Sequence, residues 1–175
     1  EIKEGSSVSV DENGVLTAVS AGITKIRVYA KASKYSENGD YSKYADIYAI
    51  VADGSKSYPY LLTNENQILD DKYYCLANDI VLNQTITLSI AGLNGKNVYA
   101  KYSTALSENS VYNLIFNGTG SVFDKANEAD IENLNIVYNQ NQITINSDFG
   151  LIAKENKGTI KNVNLIINNL QINIE

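Results

Sequence analysis

The chain contains no histidine, methionine or tryptophan, and a single cysteine, proline and arginine: Cys75, Pro59 and Arg27. Lack of histidine removes the Cys–His dyad that would turn Cys75 into a thiolate, and its alternating apolar context reads as core. A lone cysteine cannot form an internal disulfide, which leaves an extracytoplasmic location permitted. Cations are scarce, with 14 Lys and Arg against 20 Asp and Glu, a net charge of −6 and an isoelectric point near 4.7. Without a cationic surplus to neutralise phosphates, nucleic acid is excluded as a partner. No apolar run approaches membrane-spanning length. The sequence opens at Glu1 with neither an initiator methionine nor an apolar signal region, so we expect a mature or excised fragment of a longer chain.

What is present is a folded composition, 44% hydrophobic and 19% charged, in 175 residues, enough for one domain or two small ones. From Val111 to Asn169 one short pattern returns three times, as VYNLIF, IENLNI and IKNVNL. Its template is apolar, any, Asn, apolar, any, apolar, and it places Asn113, Asn133 and Asn162 in one column. Self-similarity of this kind is the signature of a solenoid, whose short strand pairs become stable by stacking on their neighbours. Two copies match over a whole unit, VFDKANEADIENL against LIAKENKGTIKNV, with Lys125 aligned to Lys154 and Asn127 to Asn156. The asparagine spacings are 20 (133 minus 113) and 29 (162 minus 133), and NQNQITINSD is read as the longer loop between windings. A side-chain amide both donates and accepts, so equivalent asparagines at one corner are expected to form a structural ladder. The competing reading is that asparagine, about one residue in eight, simply suits turns.

The segment FGLIAKENKGTIKNVNLIINN resembles the GLUG-type repeat of bacterial surface and secreted proteins, through Gly150, Leu151, Gly158, Ile160 and Asn162. The preceding copy departs from it, with Ala129 and Ser121 at the two glycine positions. The resemblance implies a right-handed parallel β-helix of an adhesin-like protein.

Residues 1–53 form a separate block. VSVDENGVLTAVSAGITKIRVYA reads as strand, Asn13-Gly14 turn of type I′, strand, Gly22 turn, strand. Ile26, Val28 and Ala30 face one way, and in YADIYAIVAD so do Ala45, Ile47, Ala49 and Val51. A polar loop, KASKYSENGDYSK, separates those strands. The block resembles the bacterial immunoglobulin-like domain, group 2, in Val8, Val10, Asp11, Asn13-Gly14, Val15, Thr17, Ala18, Val19, Ala21-Gly22, Ile26 and Val28. That family's earlier strands, one containing tryptophan, have no counterpart here, so the resemblance implies a partial β-sandwich, either N-terminally incomplete or a reduced variant.

DGSKSYPY carries the proline and marks a boundary, giving domains 1–53 and 54–175. Beyond it we expect strands at Leu61–Thr63, Tyr73–Leu76 and Ile80–Leu82 and a helical turn over Asn66–Leu69. YYCLANDIVL resembles the lead-in that precedes GLUG-type repeats.

Carboxylates at Asp70, Asp71, Asp79, Asp124, Glu128, Asp130 and Glu132 have the chemistry for glycosidase acid and base roles or for calcium. Asp130 and Glu132 flank a strand residue, as solvated positions do, and no D-x-D-x-D-G run occurs. No metal, cofactor or catalytic residue is therefore assigned. The 13 tyrosines suit half-exposed sheet faces, and as sugar-stacking surfaces the candidates are Tyr99, Tyr102 and Tyr112. NQT at Asn83 and NGT at Asn117 match the glycosylation acceptor, a weak signal. The expectation is an all-β chain, a partial immunoglobulin-like sandwich followed by a right-handed parallel β-helix. Its expected role is a non-enzymatic structural or adhesive segment of a bacterial cell-surface or secreted protein, with host or cell-surface glycans or proteins as partners. The alternative is a sugar-binding module or part of a polysaccharide-active β-helix enzyme, since fold alone does not choose.

Overall fold

The computed structural model describes residues 1–30, 43–103, 105–124, 128–140, 142–145, 150–168 and 171–174. The polar loop expected after Ala30 lies outside the described residues except for Lys43, as do Lys125, Asn127, Phe149 and Asn169 of the repeat alignment. The fold is all-β, and two compact units, Glu1–Asp53 and Gly54–Glu175, divide it. Among the described residues no helix is long and apolar enough to cross a membrane.

The first unit holds β1 (Ile2–Glu4), β2 (Val8–Val10), β3 (Leu16–Ala18), β4 (Gly22–Tyr29) and β5 (Tyr44–Val51). β1, β4 and β5 form one antiparallel sheet, and β2 and β3 a hairpin with Val8 opposite Ala18. The hairpin turn differs from the expected type I′, which needs positive φ at both central residues. Gly14 has φ +81°, while Asn13 is not left-handed. Instead the Asp11 carboxylate accepts from the backbone of Asn13 (3.0 Å) and Val15 (2.8 Å), so a longer loop closes on a side chain.

The register Ile26↔Ile47 and Val28↔Ala45 puts the expected apolar positions of β4 and β5 on one face. Among the described residues of this unit Ile26 and Val8 are the buried hydrophobics, beside a Ser7–Thr24 hydroxyl pair at 2.7 Å. On the other face Arg27 grips Asp46 across the strands with two bonds, Nε to Oδ1 at 2.7 Å and Nη2 to Oδ2 at 3.0 Å. The guanidinium also sits 3.7 Å from the centre of the Tyr44 ring.

The second unit holds β6 (Tyr60–Leu62), β7 (Tyr73–Leu76), β8 (Ile80–Leu82), β9 (Gly92–Asn94), β10 (Asn113–Phe116), β11 (Asp130–Tyr138), β12 (Gln142–Ile145), β13 (Ile160–Ile167) and β14 (Gln171–Ile174). Every pairing between its strands is parallel. The main sheet curls because β11 serves two rows. Its first residues pair with β9, its last with β10, and β13 follows it along nearly its whole length. Asn133 and Asn162, at φ +51° and +53°, make the bend between the rows, an αL conformation that asparagine tolerates better than most residues. A third line of contact runs through the parallel bridges Ile86↔Phe123 and Phe123↔Ala153.

Alternation sends every second side chain inward, and the parallel register then stacks like on like. Ile80, Leu114 and Ile136 make one column, and Leu82, Phe116 and Tyr138 another, each residue 0–1% exposed. Burial pushes the Tyr138 phenol well above its ordinary range, and its hydroxyl donates to the Leu151 carbonyl. Gly158 shows how closely windings approach, since a Cβ there would lie 2.2 Å from the Ala129 carbonyl oxygen.

Two expectations need correction. NQNQITINSD is not simply a loop, because Gln142–Ile145 is strand β12, paired with β14 from Gln142↔Gln171 to Ile145↔Ile174. Asn113 stands opposite Asn135 and not Asn133, so the VYNLIF copy slides by two residues against its neighbour. Sliding by two preserves the apolar alternation, which is why the apolar template could not detect it.

Two tests follow from this packing. Leu134→Ala empties a fully buried site and should cost about 2–5 kcal/mol, whereas Leu165→Ala, 39% exposed in the native chain, should cost clearly less in the same urea titration. Arg27, and then Lys25, holds the Asp46 carboxyl at about 2 against an ordinary 3.8, so this contribution is complete above 3.8 and vanishes as pH falls through about 2. Asp46→Asn should therefore lower the melting temperature of this unit near neutral pH and flatten its acid dependence in that window, as followed by circular dichroism.

Candidate functional site

The most regular polar feature of the second unit is its asparagine columns, outward-facing counterparts of the apolar ones. In the first column the Asn133 amide donates to Asn94 Oδ1 at 3.4 Å, and the Asn162 amide donates to Asn133 Oδ1 at 3.1 Å. In the second, Asn113 donates its backbone N–H and its amide to the two carboxylate oxygens of Asp79, at 2.8 and 2.9 Å, and Asn164 donates to Asn135 at 2.9 Å. In the third, Asn83 donates to the Glu65 carboxylate at 3.4 Å, Asn117 to Asn83 at 3.1 Å, and Asn139 to Asn117 at 3.1 Å. Glu65 is presented by a 3-10 turn, Glu65–Gln67, that Asn64 and Gln67 cap reciprocally. Thus Asn133 and Asn162 share a column, whereas Asn113 belongs to another. Asn83 and Asn117, which match the glycosylation pattern, both lie in the third.

A signal for all this stands in the sequence. DIVLN (79–83), NLIFN (113–117), NIVYN (135–139) and NLIIN (164–168) each set an acid or amide, two inward apolar residues and a closing asparagine at fixed spacing. Alignment on the asparagine of VYNLIF alone passes over the closing one.

Tyr99 is 6% exposed, and its hydroxyl donates to the Pro59 carbonyl at 2.7 Å, so it has no free face for a sugar. It lies with Tyr102 on an excursion between β9 and β10 that Tyr112 closes by a backbone bond to Gly95 at 2.9 Å. Tyr102 is half-buried, with Lys101 Nζ 5.0 Å from its ring centre, and Tyr112 packs partly against the core.

A cleft of about 120 Å³ is lined by Lys56, Tyr73, Asn94, Asp130 and Glu132, among others. Lys56 Nζ lies 2.6 Å from Asp130 Oδ2 and 5.9 Å from the Tyr73 ring centre. The Asp130 carboxylate raises the Lys56 pKa, so the ammonium stays charged and serves as an anchor, not a base. The volume is below the roughly 300–1,000 Å³ of ordinary ligand pockets. This cleft can offer a surface contact of one aromatic face, two carboxylates and a cation, but it cannot enclose a sugar chain. No protein-family model, curated protein or solved structure matches the chain.

Elsewhere the chemistry is quiet. Asp124 pairs with Lys154 at 2.6 Å, and among the described residues no group of three or more His, Cys, Asp or Glu is placed to hold a metal ion. Burial pushes the Cys75 thiol up to about 11, so it remains protonated and unreactive at neutral pH.

Asn133→Ala should cost about 1–3 kcal/mol, since it removes one amide from a column and forces alanine into φ +51°. Asn133→Gly relieves only the backbone part and should fall between alanine and the native chain in thermal melts. A native melting temperature for the alanine variant would show that the column contributes nothing.

Proposed function

We propose that this chain is a structural, adhesive-type segment of a bacterial cell-surface or secreted protein, in which an immunoglobulin-like module precedes a right-handed parallel β-helix of GLUG-type repeats. The observation that carries this reading is the stacking itself: three amide columns and the apolar columns beside them repeat along the parallel strands. Such a stack resists bending because each winding is tied to the next by main chain, core and side-chain bonds together. The antiparallel first unit, with its cross-strand Arg27–Asp46 clamp, suits a spacer.

A second reading, a sugar-binding module or a piece of a polysaccharide-active enzyme, is favoured by Tyr73 beside Asp130, Glu132 and Lys56. A glycan array combined with a polysaccharide lyase and hydrolase screen separates the two. The structural reading expects no turnover of any polysaccharide, and turnover would overturn it. Saturable glycan binding that Tyr73→Ala abolishes would establish the sugar-binding reading instead.

A further inference from the structure

The cleft beside Tyr73 is served by one ammonium group, and its charges do not balance. Asp130 and Glu132 stand two apart on β11 with the buried Ile131 between them, so both side chains leave the same face of the strand. Lys56 is the one cation that lines the cleft against these two carboxylates. Its Nζ bonds to Asp130 Oδ2 at 2.6 Å, while Asp130 Oδ1 and both carboxylate oxygens of Glu132 meet no donor among the described residues. Lys161 stands opposite Glu132 in the register of β13, yet among the described residues no ion pair joins them. The Asp130 carboxylate raises the Lys56 pKa and Glu132 adds to the effect, which places both acids within electrostatic reach of one ammonium.

The remaining walls restrict the kind of cation that fits. A Cβ at Gly92 would lie 2.6 Å from the Tyr73 ring, so the ring rests directly on the β9 backbone and keeps its place beside the carboxylates. Lys56 Nζ is already 5.9 Å from the centre of that ring, at cation–π range. Leu93 and Val98 add apolar surface for a methylene chain, and a volume of about 120 Å³ admits the end of an unbranched chain. A primary ammonium brings three N–H donors, which suits carboxylate oxygens left without partners, whereas a quaternary ammonium brings none. The Lys56 side chain is 68% exposed, and ion pairs so exposed contribute little to stability, so its ammonium can give way without disturbing the fold.

We propose that this cleft binds a primary alkylammonium group, of a free diamine or of a lysine side chain, with Asp130 and Glu132 as its acceptors and Tyr73 as its aromatic face. Lys56 is the built-in competitor for the same acceptors. The inference goes beyond the adhesive and sugar-binding readings and needs neither, so a glycan array without a single hit leaves it standing.

Pentylammonium is titrated into the isotope-labelled chain at neutral pH and physiological salt, where distant charges are screened, and backbone amide shifts report both affinity and place. Saturable shifts are expected at Tyr73 and residues 130–132, with pentanol and pentyltrimethylammonium binding at least about fivefold more weakly, because neither offers a charged donor. Glu132→Gln should weaken pentylammonium by at least about fivefold for the same reason. Lys56→Gln should tighten it, whereas Lys154→Gln, which takes the same charge from the Asp124 pair, should leave it unchanged. The amide spectrum shows in the same experiment that each variant is folded. Cadaverine and acetyl-lysine methylamide, compared in the native chain, separate the two sources by which of them binds more tightly. No saturable shift, pentanol binding as well as pentylammonium, native affinity in Glu132→Gln, or equal gains from Lys56→Gln and Lys154→Gln would each overturn the proposal.

Discussion

Parallel registration of successive windings is the constraint on which the second unit depends. A one-residue slip would turn every inward side chain outward, which the core forbids outright. A two-residue slip is more insidious, since Leu114 and Phe116 would still point inward, merely against different partners. The amide columns resolve that ambiguity. Slipping β10 by two against β11 would carry Asn117 away from Asn139, and the Asn83–Asn117–Asn139 column would break. Magnitudes divide the labour. Each buried side chain contributes roughly 1.5–3 kcal/mol and each exposed amide bond at most about 0.5–1.5 kcal/mol. Stability comes mainly from the apolar columns, and the asparagines choose among registers that the apolar columns leave nearly equal.

That division also explains what could be read in advance. All-β character, strands at Tyr73–Leu76 and Ile80–Leu82, and the 29-residue step from Asn133 to Asn162 are legible because each rests on a local or strictly repeated pattern. The 22-residue step from Asn113 to Asn135 was misread as 20, since alternation has period two and the template could not tell neighbours two apart. QITI reads as part of a loop because its setting is rich in Asn and Gln, although Ile143 is 1% exposed in strand β12. Tyr99 could not have been assigned from its surroundings. Its partner, the Pro59 carbonyl, is 40 residues away, and nothing near Tyr99 announces it. At the hairpin, Asn13-Gly14 signals the turn, but Asp11 competes for the same backbone groups and selects a longer loop.

Unequal windings are compatible with regular stacking because loop length is thermodynamically cheap. The steps between equivalent positions are 34 residues from Asp79 to Asn113, 22 from Asn113 to Asn135 and 29 from Asn135 to Asn164. Closing 34 residues instead of 22 costs only about 0.4 kcal/mol more by the logarithmic law, less than one good amide bond. The excursion that carries Tyr99 and Tyr102 therefore places little strain on the stack, provided its ends return to register. Gly95 and Tyr112 secure that return through their backbone bond, and the Lys96↔Val111 bridge reinforces it.

The carboxylates at the column starts follow from the same logic of satisfied groups. An asparagine at position 79 or 65 would accept from the next winding equally well, but its own amide would then point beyond the first winding and need an acceptor there. A carboxylate has no donor to orphan, and its remaining lone pairs can stay hydrated where it is partly exposed. It also makes the first bond of the column charge-assisted, which is stronger than the neutral amide bonds that follow. The acid in DIVLN and the amide that opens NLIFN thus answer to one requirement, that the first amide of the column find its acceptor on the winding before it.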